Sequence, residues 1–378
     1  MAVTLRAPDD FHVHLRQPPV LAPVVRETSR WFARALVMPN TVPPVTTPDH
    51  LRRYREEILA EVPVDRSLEP LMTFKVVPTL DPADVAALAD AGAIGGKLYP
   101  QGVTTNSADG VSEVEPLYPV FEAMEASDLV LEIHAEEPGF FSLDREEAYL
   151  PRIERIASRF PRLRVVIEHV SSAAVIEALA SLPETVAATV TVHHLLLTLD
   201  DVVGDELRPH HFCKPIAKRE RDRDAVRDAV FSGNRRVFFG SDSAPHPREA
   251  KEAACGCAGI YTAPVAIPLL AALFEEARLP LTEADAERRP GVDATGGGGA
   301  TDGADATGGA DATDGPGPNL ESFVSRFGAD FYRLPLNDGT IRIVESPWVV
   351  PDLCDGVVPF YAGERLDYAL DDGGDHES

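Results

Sequence analysis

The sequence is poor in cysteine and lysine and has no long apolar run. Four cysteines in 378 residues are too few and too scattered for a disulfide framework, so a reducing cytoplasm is expected. No apolar stretch approaches the roughly 20 residues that cross a bilayer. The first residues, MAVTLRAPDD, lack the basic and apolar regions of a signal peptide. We therefore expect a cytoplasmic protein that does not contact a membrane.

The charge of the chain is strongly acidic. Its formal net charge is −26 at pH 7, and only five of its residues are lysines. A surface of this sign repels a phosphate backbone, which excludes nucleic acid as a partner. An acidic, lysine-poor surface suits a cytoplasm of high salt concentration. A GC-rich genome also explains the lack of lysine, although it explains the excess of acidic residues less easily.

One low-complexity segment, from about residue 283 to residue 318, differs from the rest of the chain. It repeats DATGG and DATDG and contains almost no large apolar residue. Such a segment cannot bury enough surface to offset the entropy of ordering it. We therefore predict a disordered acidic insertion that interrupts a single domain spanning residues 1–378.

Short β-rich segments alternate with helical segments along the rest of the chain. This alternation predicts an α/β fold, a (β/α)₈ barrel of the TIM type. A doubly wound sheet also fits the alternation, but it would not readily bring so many strand ends around one centre. The eight predicted strands span residues 9–15, 34–40, 71–77, 93–100, 129–136, 164–171, 186–195 and 235–242.

Two histidines lie close together in the first predicted strand. In DDFHVHLR, the side chains of His12, His14 and Arg16 would share one face of an extended chain. A single H-x-H pair is more often a pair of ordinary core or surface histidines than a metal site. The assignment therefore depends on the other strand ends.

Three further candidate ligands end other predicted strands. His134 lies in LEIHAEE, His169 in VIEHVSS and Asp242 in FFGSDSAPH. Because a barrel gathers functional groups at the carboxyl ends of its strands, these side chains would converge with the first two histidines. Imidazole and carboxylate are ligands that suit zinc and similar divalent ions. The pattern predicts a metal centre at the C-terminal end of the barrel.

Lys97 follows two glycines in the apolar segment GAIGGKLYP. An unpaired ammonium group at an inward-facing barrel position would be costly to bury. One interpretation pairs it with Asp242 or with a substrate carboxylate. The other is a neutral amine that reacts with carbon dioxide to form a carbamate, an anion able to bridge two metal ions.

The sequence resembles the compact bacterial dihydroorotases of the amidohydrolase superfamily. The resemblance covers nearly the whole chain except residues 283–318, and several matching segments are long and specific. These segments are DDFHVHLR, VMPNTVPPVTT, KLYPQGVTTNSADGV, VIEHVSS, GSDSAPHPREAKEAACGCAG and VVPFYAGE.

The resemblance implies two zinc ions per chain, bridged by carboxylated Lys97. The ligands of one ion would be His12, His14, Lys97 and Asp242, and those of the other Lys97, His134 and His169. It also implies that Arg16, Asn40 and His246 bind the α-carboxylate of the substrate. Backbone near Lys214 and Ala258 would contact the pyrimidine ring, and Thr104 and Thr105 would lie on a loop that closes over it.

The implied activity is the reversible, zinc-dependent cyclisation of N-carbamoyl-L-aspartate to (S)-dihydroorotate in de novo pyrimidine (UMP) biosynthesis. Asp242 would be the catalytic proton carrier. The alternative is another cyclic amidohydrolase of the hydantoinase-like or dihydropyrimidinase-like type. Those longer relatives place β-sandwich strands before their H-x-H pair, whereas eleven residues precede His12 here.

Two other functional classes fit less well. A phosphotriesterase-like hydrolase would not need the carboxylate-binding residues, and a metal-free barrel serving as a binding partner would be expected to have lost ligands. The sequence leaves open whether the chain forms a homodimer.

Three features depart from the family pattern or invite another interpretation. Lys214 stands where relatives carry an apolar residue, and His193 stands where an amide side chain is expected, with His194 taken as the histidine nearer the site. Cys255 and Cys257 form a C-x-C pair, which lacks the usual zinc spacing and a second cysteine pair. We expect these two cysteines to be small buried thiols beneath the substrate loop.

Overall fold

The computed structural model describes residues 2–104, 107, 109–288 and 317–371. Eight parallel strands form one sheet in the order of the chain, β2 to β9, with helices between them. Each predicted strand is present, so the predicted (β/α)₈ barrel is confirmed. The strands are β1 (Ala2–Arg6), β2 (Asp9–Val13), β3 (Arg34–Val37), β4 (Glu69–Val76), β5 (Ala93–Leu98), β6 (Val130–Ile133), β7 (Arg164–Ile167), β8 (Val186–Val190), β9 (Val237–Phe239), β10 (Thr340–Val349) and β11 (Arg365–Leu370).

The ring of strands is completed between its last and first members. The backbone N–H of Asp242 donates to the carbonyl of His12 at 2.9 Å, and that of His14 donates to Ser243 at 3.0 Å. These bonds are made by the segment that follows β9, so the barrel is joined at its C-terminal end. Two predicted ligand-bearing segments are thereby fixed side by side.

The helices are short to medium in length and pack around the barrel. In one example, the side chain of Thr47 accepts a hydrogen bond from the backbone N–H of His50, and Pro48 occupies the first turn of the helix. The α-helices are α1 (Leu21–Trp31), α2 (Pro48–Glu61), α3 (Asp84–Asp90), α4 (Tyr118–Ala126), α5 (Arg145–Arg159), α6 (Ala173–Leu179), α7 (Val192–Leu196), α8 (Asp200–Val203), α9 (Glu220–Phe231), α10 (Arg248–Lys251), α11 (Ala266–Glu276), α12 (Glu283–Arg288) and α13 (Phe327–Tyr332).

Aromatic side chains fill the N-terminal half of the barrel. Phe11 on β2 stacks on Tyr332 of α13 with ring centroids 4.9 Å apart, and its edge meets Phe238 of β9 at 5.4 Å. Apolar residues from the beginnings of the other strands pack around them in one buried cluster. This packing closes one end of the barrel, and the polar side chains are left at the other end.

A small antiparallel sheet lies beside the barrel and was not expected from the sequence. Its order is β1, β10, β11, so the first strand of the chain pairs with strands that come after the insertion. Ala2 is paired with Val344 and Arg6 with Thr340. The alternation of buried and exposed residues in AVTLR is a strand signal that the sequence interpretation overlooked.

The predicted insertion begins later than residue 283. Helix α12 occupies residues 283–288, and its residue Asp285 is buried. Residues 289–316, which carry the repeats, lie outside the described residues. None of the helices in the described ranges is long and apolar enough to cross a bilayer.

Candidate functional site

A pocket with about 340 Å³ of empty volume opens at the C-terminal ends of the barrel strands. It brings together side chains from segments that are far apart in sequence. Most of the residues singled out from the sequence lie here: His12, His14, Arg16, Asn40, Thr104, His134, His169, Lys214, Asp242 and Ala258 line it, together with Tyr99, Ala244 and Gly259.

His12, His14 and Asp242 form a compact group on one wall of the pocket. The Nε2 atoms of the two histidines lie 3.4 Å and 3.2 Å from Oδ1 of Asp242. Two ligands bound about 2.0–2.1 Å from a tetrahedral zinc ion are about 3.4 Å apart. The three side chains are buried, and their donor atoms are spaced as the ligands of one ion would be.

The other ring nitrogen of each histidine is held by a buried oxygen. Nδ1 of His12 lies 2.8 Å from Oε2 of Glu168, and Nδ1 of His14 lies 2.9 Å from Oδ1 of Asn40. Because an acceptor at Nδ1 fixes the tautomer with the proton there, the Nε2 lone pair of each ring faces Asp242. This arrangement is typical of histidines that bind metal.

His134 and His169 form a second pair. Nδ1 of His134 lies 3.1 Å from Nε2 of His169, and Nε2 of His134 lies 2.7 Å from Oε2 of Glu136. Glu136 therefore orients the ring of His134, as Glu168 orients the ring of His12. Burial lowers the pKa of His169 well below its usual value, so its ring is neutral and able to coordinate an ion.

Lys97 is fully buried and does not itself line the pocket. Its Nζ is 3.6 Å from Oε1 of Glu168 and makes no hydrogen bond to any of the described residues. Burial lowers the pKa of this amine below its usual value, although Glu168 and Glu132 oppose the shift. A Cβ atom at residue 95 would lie 2.0 Å from the Glu132 carboxylate, so glycine is required on the strand beside it.

The backbone is strained at three site residues. Arg16, His169 and Asp242 have φ angles of 64°, 42° and 41°, in the left-handed region that non-glycine residues rarely adopt. Such conformations cost about 1–3 kcal/mol each and are concentrated at functional sites. The prediction that His14 and Arg16 continue a strand is wrong, because β2 ends at Val13. The turn at Arg16, rather than strand alternation, directs its guanidinium into the pocket.

Arg16 and His246 are neighbours at the mouth of the pocket. Nη2 of Arg16 lies 3.0 Å from Nε2 of His246, which is also 3.1 Å from the carbonyl oxygen of Ala258. Burial and the nearby guanidinium lower the pKa of His246 to about 3. His246 is therefore neutral near pH 7, and the guanidinium carries the positive charge of this corner.

Two of the predicted substrate contacts, Lys214 and Thr104, also line the pocket. Lys214 is partly buried there. Thr104 also lines the pocket, and its backbone carbonyl accepts a hydrogen bond from Ser107 at 2.6 Å. Thr105 lies outside the described residues.

His193 and His194 are buried but do not line the pocket. The predicted strand 186–195 ends at Val190, and both histidines lie on α7. His194, expected to be the histidine nearer the site, does not line the pocket, and its Nε2 lies 2.9 Å from the carbonyl oxygen of Pro215. The expectation of buried thiols is wrong for Cys255, which is exposed, and Cys257 is only partly buried.

Sequence reasoning missed Glu168, Glu136 and Tyr99. Glu168 also accepts a hydrogen bond from Thr189 at 2.6 Å, and it is completely buried. The signal was available, because an acidic residue in the apolar run VVIEHV is as unusual as a lysine in an apolar strand. Tyr99 lies two residues after Lys97, and nothing in the sequence marked it as a site residue.

The residues present fit a pair of metal ions. Nε2 of His12, Nδ1 of His169 and Nζ of Lys97 are buried polar atoms without a hydrogen-bond partner in the described ranges. Atoms of this kind are costly to leave unpaired, and coordination would satisfy those that face the centre. The donors are nitrogen and carboxylate oxygen, which zinc and similar divalent ions accept.

Comparison with known proteins agrees with this geometry. Residues 71–277, more than half of the chain, match the Amidohydrolase family model. A dihydroorotase of Teredinibacter turnerae is 39% identical over 376 residues, which are 98% of each chain. The crystal structure of dihydroorotase from Campylobacter jejuni superposes with a TM-score of 0.82 at 35% identity, over 98% of this chain and 97% of that one.

A second solved structure is equally similar. The dihydroorotase of Saccharomyces cerevisiae, crystallised in complex with 5-fluoroorotic acid, has a TM-score of 0.82 at 32% identity and covers 98% of both chains. An L-hydantoinase of Arthrobacter aurescens shares the fold with a TM-score of 0.73, but its identity is only 16%. The hydantoinase-like alternative is therefore the weaker one. The chain belongs to the dihydroorotases, the metal-dependent amidohydrolases that interconvert N-carbamoyl-L-aspartate and dihydroorotate in pyrimidine biosynthesis.

Proposed function

We propose that the dihydroorotase reaction takes place at a binuclear zinc centre in this pocket. The observation that carries the proposal is the convergence of six buried donors from five segments of the chain, several of them unpaired in the described residues. His12, His14 and Asp242 would hold one ion, His134 and His169 the other, and Lys97 would bridge the two.

We propose that Lys97 bridges the ions as a carbamate. Its neutral amine would add to the carbon of carbon dioxide: an N–C bond would form, one C=O π bond would open to give a carboxylate, and one N–H proton of the adduct would be released to solvent. The lowered pKa of the buried amine favours this reaction, since only the unprotonated nitrogen is a nucleophile. The product carries two oxygens, one for each ion, and it brings the negative charge that two divalent ions require.

Bound metal would supply two effects, a lower pKa for a water molecule and polarisation of the ring carbonyl of the substrate. The chain's own contribution to proton transfer is Asp242. Burial raises the pKa of this carboxylate above its usual value, which makes it a better base. In the hydrolytic direction Asp242 would accept the proton of the attacking water and deliver it to the leaving ring nitrogen. In the biosynthetic direction the same transfers run backwards.

The substrate carboxylate would be bound by Arg16, with Asn40 and His246 beside it. A guanidinium presents two parallel N–H donors to a carboxylate, and here it lies beside a neutral histidine rather than an acid. The pyrimidine ring would lie against backbone near Lys214 and Ala258, and Thr104 and Thr105 would belong to a closing loop. The yeast relative was crystallised with 5-fluoroorotic acid, a pyrimidine carboxylic acid, which supports a ligand of this class.

We further propose that residues 1–378 form a single amidohydrolase domain with an acidic insertion, acting in the cytoplasm. The net charge of −26 argues for a small-molecule substrate and against nucleic acid. Assembly as a homodimer is a separate question, which sedimentation of the purified enzyme answers directly.

The test combines metal analysis with activity on one sample. We expect about two zinc ions per chain in the pocket, together with reversible hydrolysis of dihydroorotate and slow turnover of hydantoin and dihydrouracil. Removing the metal with a chelator should abolish turnover, and adding zinc should restore it. Full activity in a metal-free sample would overturn the metal centre. Faster turnover of hydantoin than of dihydroorotate would overturn the substrate assignment.

A further inference from the structure

A second group of metal-ligating side chains lies outside the pocket. His193 and His194 on α7 come together with Cys213, and one donor atom of each lies within 4.8 Å of those of the others. All three are buried, and none of them lines the pocket at the strand ends. None of the three takes part in binding or proton transfer in the proposed dihydroorotase reaction.

The donor atoms meet at the carbonyl of Pro215. Sγ of Cys213 lies 3.7 Å from Nε2 of His194, and both approach the Pro215 oxygen, at 3.3 Å and 2.9 Å. Sulfur and nitrogen bound to one tetrahedral zinc ion at the usual bond lengths are about 3.6 Å apart. The Sγ–Nε2 separation therefore fits a shared ion. The Pro215 carbonyl accepts a hydrogen bond from each of the two groups, so it would face the ion as a further ligand once their two protons are displaced.

His193 supplies an independent observation. Its side chain has no exposed surface, and neither of its ring nitrogens has a hydrogen-bond partner among the described residues. Its ring centroid is 4.5 Å from that of His194. A buried imidazole with both nitrogens unpaired is costly, and an ion shared with its neighbour would satisfy one of them.

The second ring nitrogen of His194 is already oriented for such a role. Nδ1 lies 2.9 Å from Oγ1 of Thr191, the residue that also caps the helix through the backbone N–H of His194. The Pro215 carbonyl only accepts, so Nε2 carries the ring proton here; because the Thr191 hydroxyl can also accept, a shift of that proton to Nδ1 would free Nε2 for an ion. Metal-binding histidines commonly have such a partner on the other nitrogen.

The protonation states of the group allow an ion to enter. Burial lowers the pKa of His193 well below its usual value and that of His194 to about 4, so both rings are neutral ligands. Burial raises the pKa of the Cys213 thiol to about 12, so the thiol keeps its proton until an ion displaces it. The nearby ammonium of Lys251 would stabilise the thiolate that results.

We propose that His193, His194 and Cys213 form a third metal site, which binds one zinc ion through a thiolate, two imidazoles and the Pro215 carbonyl. On binding, the thiol proton is released to solvent, the ring proton of His194 moves from Nε2 to Nδ1, where Oγ1 of Thr191 accepts it, and a sulfur–metal bond forms with no change of oxidation state. The ion ties α7 to the segment of residues 213–215, and this segment carries Lys214 into the substrate pocket. The site is structural, because its protein ligands leave no open position for a substrate.

Cobalt substitution tests the proposal, since only this site contains sulfur. The full chain is produced in cobalt-supplemented medium, so that the ions are incorporated during folding. We expect about three cobalt ions per chain and a near-ultraviolet thiolate-to-cobalt charge-transfer band. Cys213→Ser should remove the band and about one ion, while Cys257→Ser, at a partly buried cysteine outside the group, should keep both.

Two further variants separate this site from the binuclear centre. His193→Gln removes one ligand and introduces the amide expected from the family pattern, so it is a second probe if Cys213→Ser does not fold. It should also lose about one cobalt ion. Lys97→Ala should lower the cobalt content and leave the charge-transfer band unchanged. Two ions per chain without the band, or a band that survives Cys213→Ser, would overturn the third site.

Discussion

Asn40 accepts a hydrogen bond from the ring of His14, with Oδ1 2.9 Å from Nδ1. An amide oxygen can only accept, so the proton of this ring is on Nδ1 and Nε2 faces Asp242. The residue that the family pattern assigns to the substrate carboxylate therefore also orients a candidate metal ligand. Its contributions to metal binding and to substrate binding can be separated by mutation.

Asn40→Ala should weaken metal binding about 10- to 100-fold, the usual effect of losing a partner that orients a ligand. Asn40→Asp keeps an acceptor for His14 and should restore the metal affinity, but it should leave KM high, because a second carboxylate repels the substrate. Metal affinity is measured by competition with a chelator, and KM after saturation with zinc. Equal metal affinity in all three proteins would show that Asn40 does not orient His14.

The order and number of the barrel strands were predictable because buried parallel strands have a strong local signal. Each is a short apolar run followed by a polar residue, and this pattern located all eight strands of the barrel. The convergence of the polar residues at the strand ends was also predictable, because the carboxyl ends of all eight strands meet at one end of the barrel. The small sheet was missed because its strands come from both ends of the chain. Their pairing depends on contacts that no local pattern contains.

The details of the site depend on the backbone and could not be predicted in the same way. Arg16 and Asp242 reach the pocket through left-handed backbone conformations, which sequence patterns do not indicate for these residue types. His193 and His194 follow a strand that ends several residues earlier than predicted. Residues beyond the end of a strand no longer alternate between its two faces, so the strand period does not predict where their side chains point.

Lys97→Ala should lose at least one metal ion and most of the activity, because the variant has no bridging anion. Short carboxylic acids should partly restore both by occupying the space of the carbamate. Lys75→Met is the matched control: Lys75 is the strand partner of Lys97 and is also buried, but it is paired with Asp109 rather than with Glu168. It should keep the full metal content. Normal turnover with two ions in Lys97→Ala would show that Lys97 is not the bridge.

The segment after α12 should be dispensable. Replacing residues 291–316 with a short Gly-Ser linker should leave kcat/KM within a few-fold, because loop closure changes by only about 0.6 kcal/mol per doubling of length. Deleting residues 283–316 should instead lower the melting temperature. That larger deletion removes buried Asp285, whose carboxylate accepts from the backbone of Leu281 at 3.4 Å. Equal melting temperatures for the two deletions would show that α12 adds nothing to stability.

The contribution of His246 should not change between pH 5 and pH 8. Its pKa is lowered to about 3, so the ring is neutral in both the acidic and the neutral assay. His246→Gln should lower kcat/KM about tenfold through the loss of one contact to the substrate or to Arg16. The ratio of wild-type to variant kcat/KM cancels the pH effects common to both enzymes. A ratio that rises several-fold towards pH 5 would mean that His246 becomes protonated and attracts the substrate carboxylate.

Arg16→Met tests whether the enzyme recognises a carboxylate through this residue. The variant keeps much of the side chain's bulk, and Arg16 is not among the proposed ligands, so we expect unchanged metal content. Catalytic efficiency on dihydroorotate should fall at least about a hundredfold, which corresponds to about 2.7 kcal/mol for a charge-assisted bidentate contact. Arg16→Lys should recover only part of this loss, because an ammonium cannot make the paired contact. Hydrolysis of dihydrouracil, which has no carboxylate and should be slow from the start, should change little in either variant. The informative quantity is the ratio of the two efficiencies. An equal loss on both substrates would mean that the Arg16 side chain supports the fold through its hydrogen bond to the Pro245 carbonyl and does not bind the substrate.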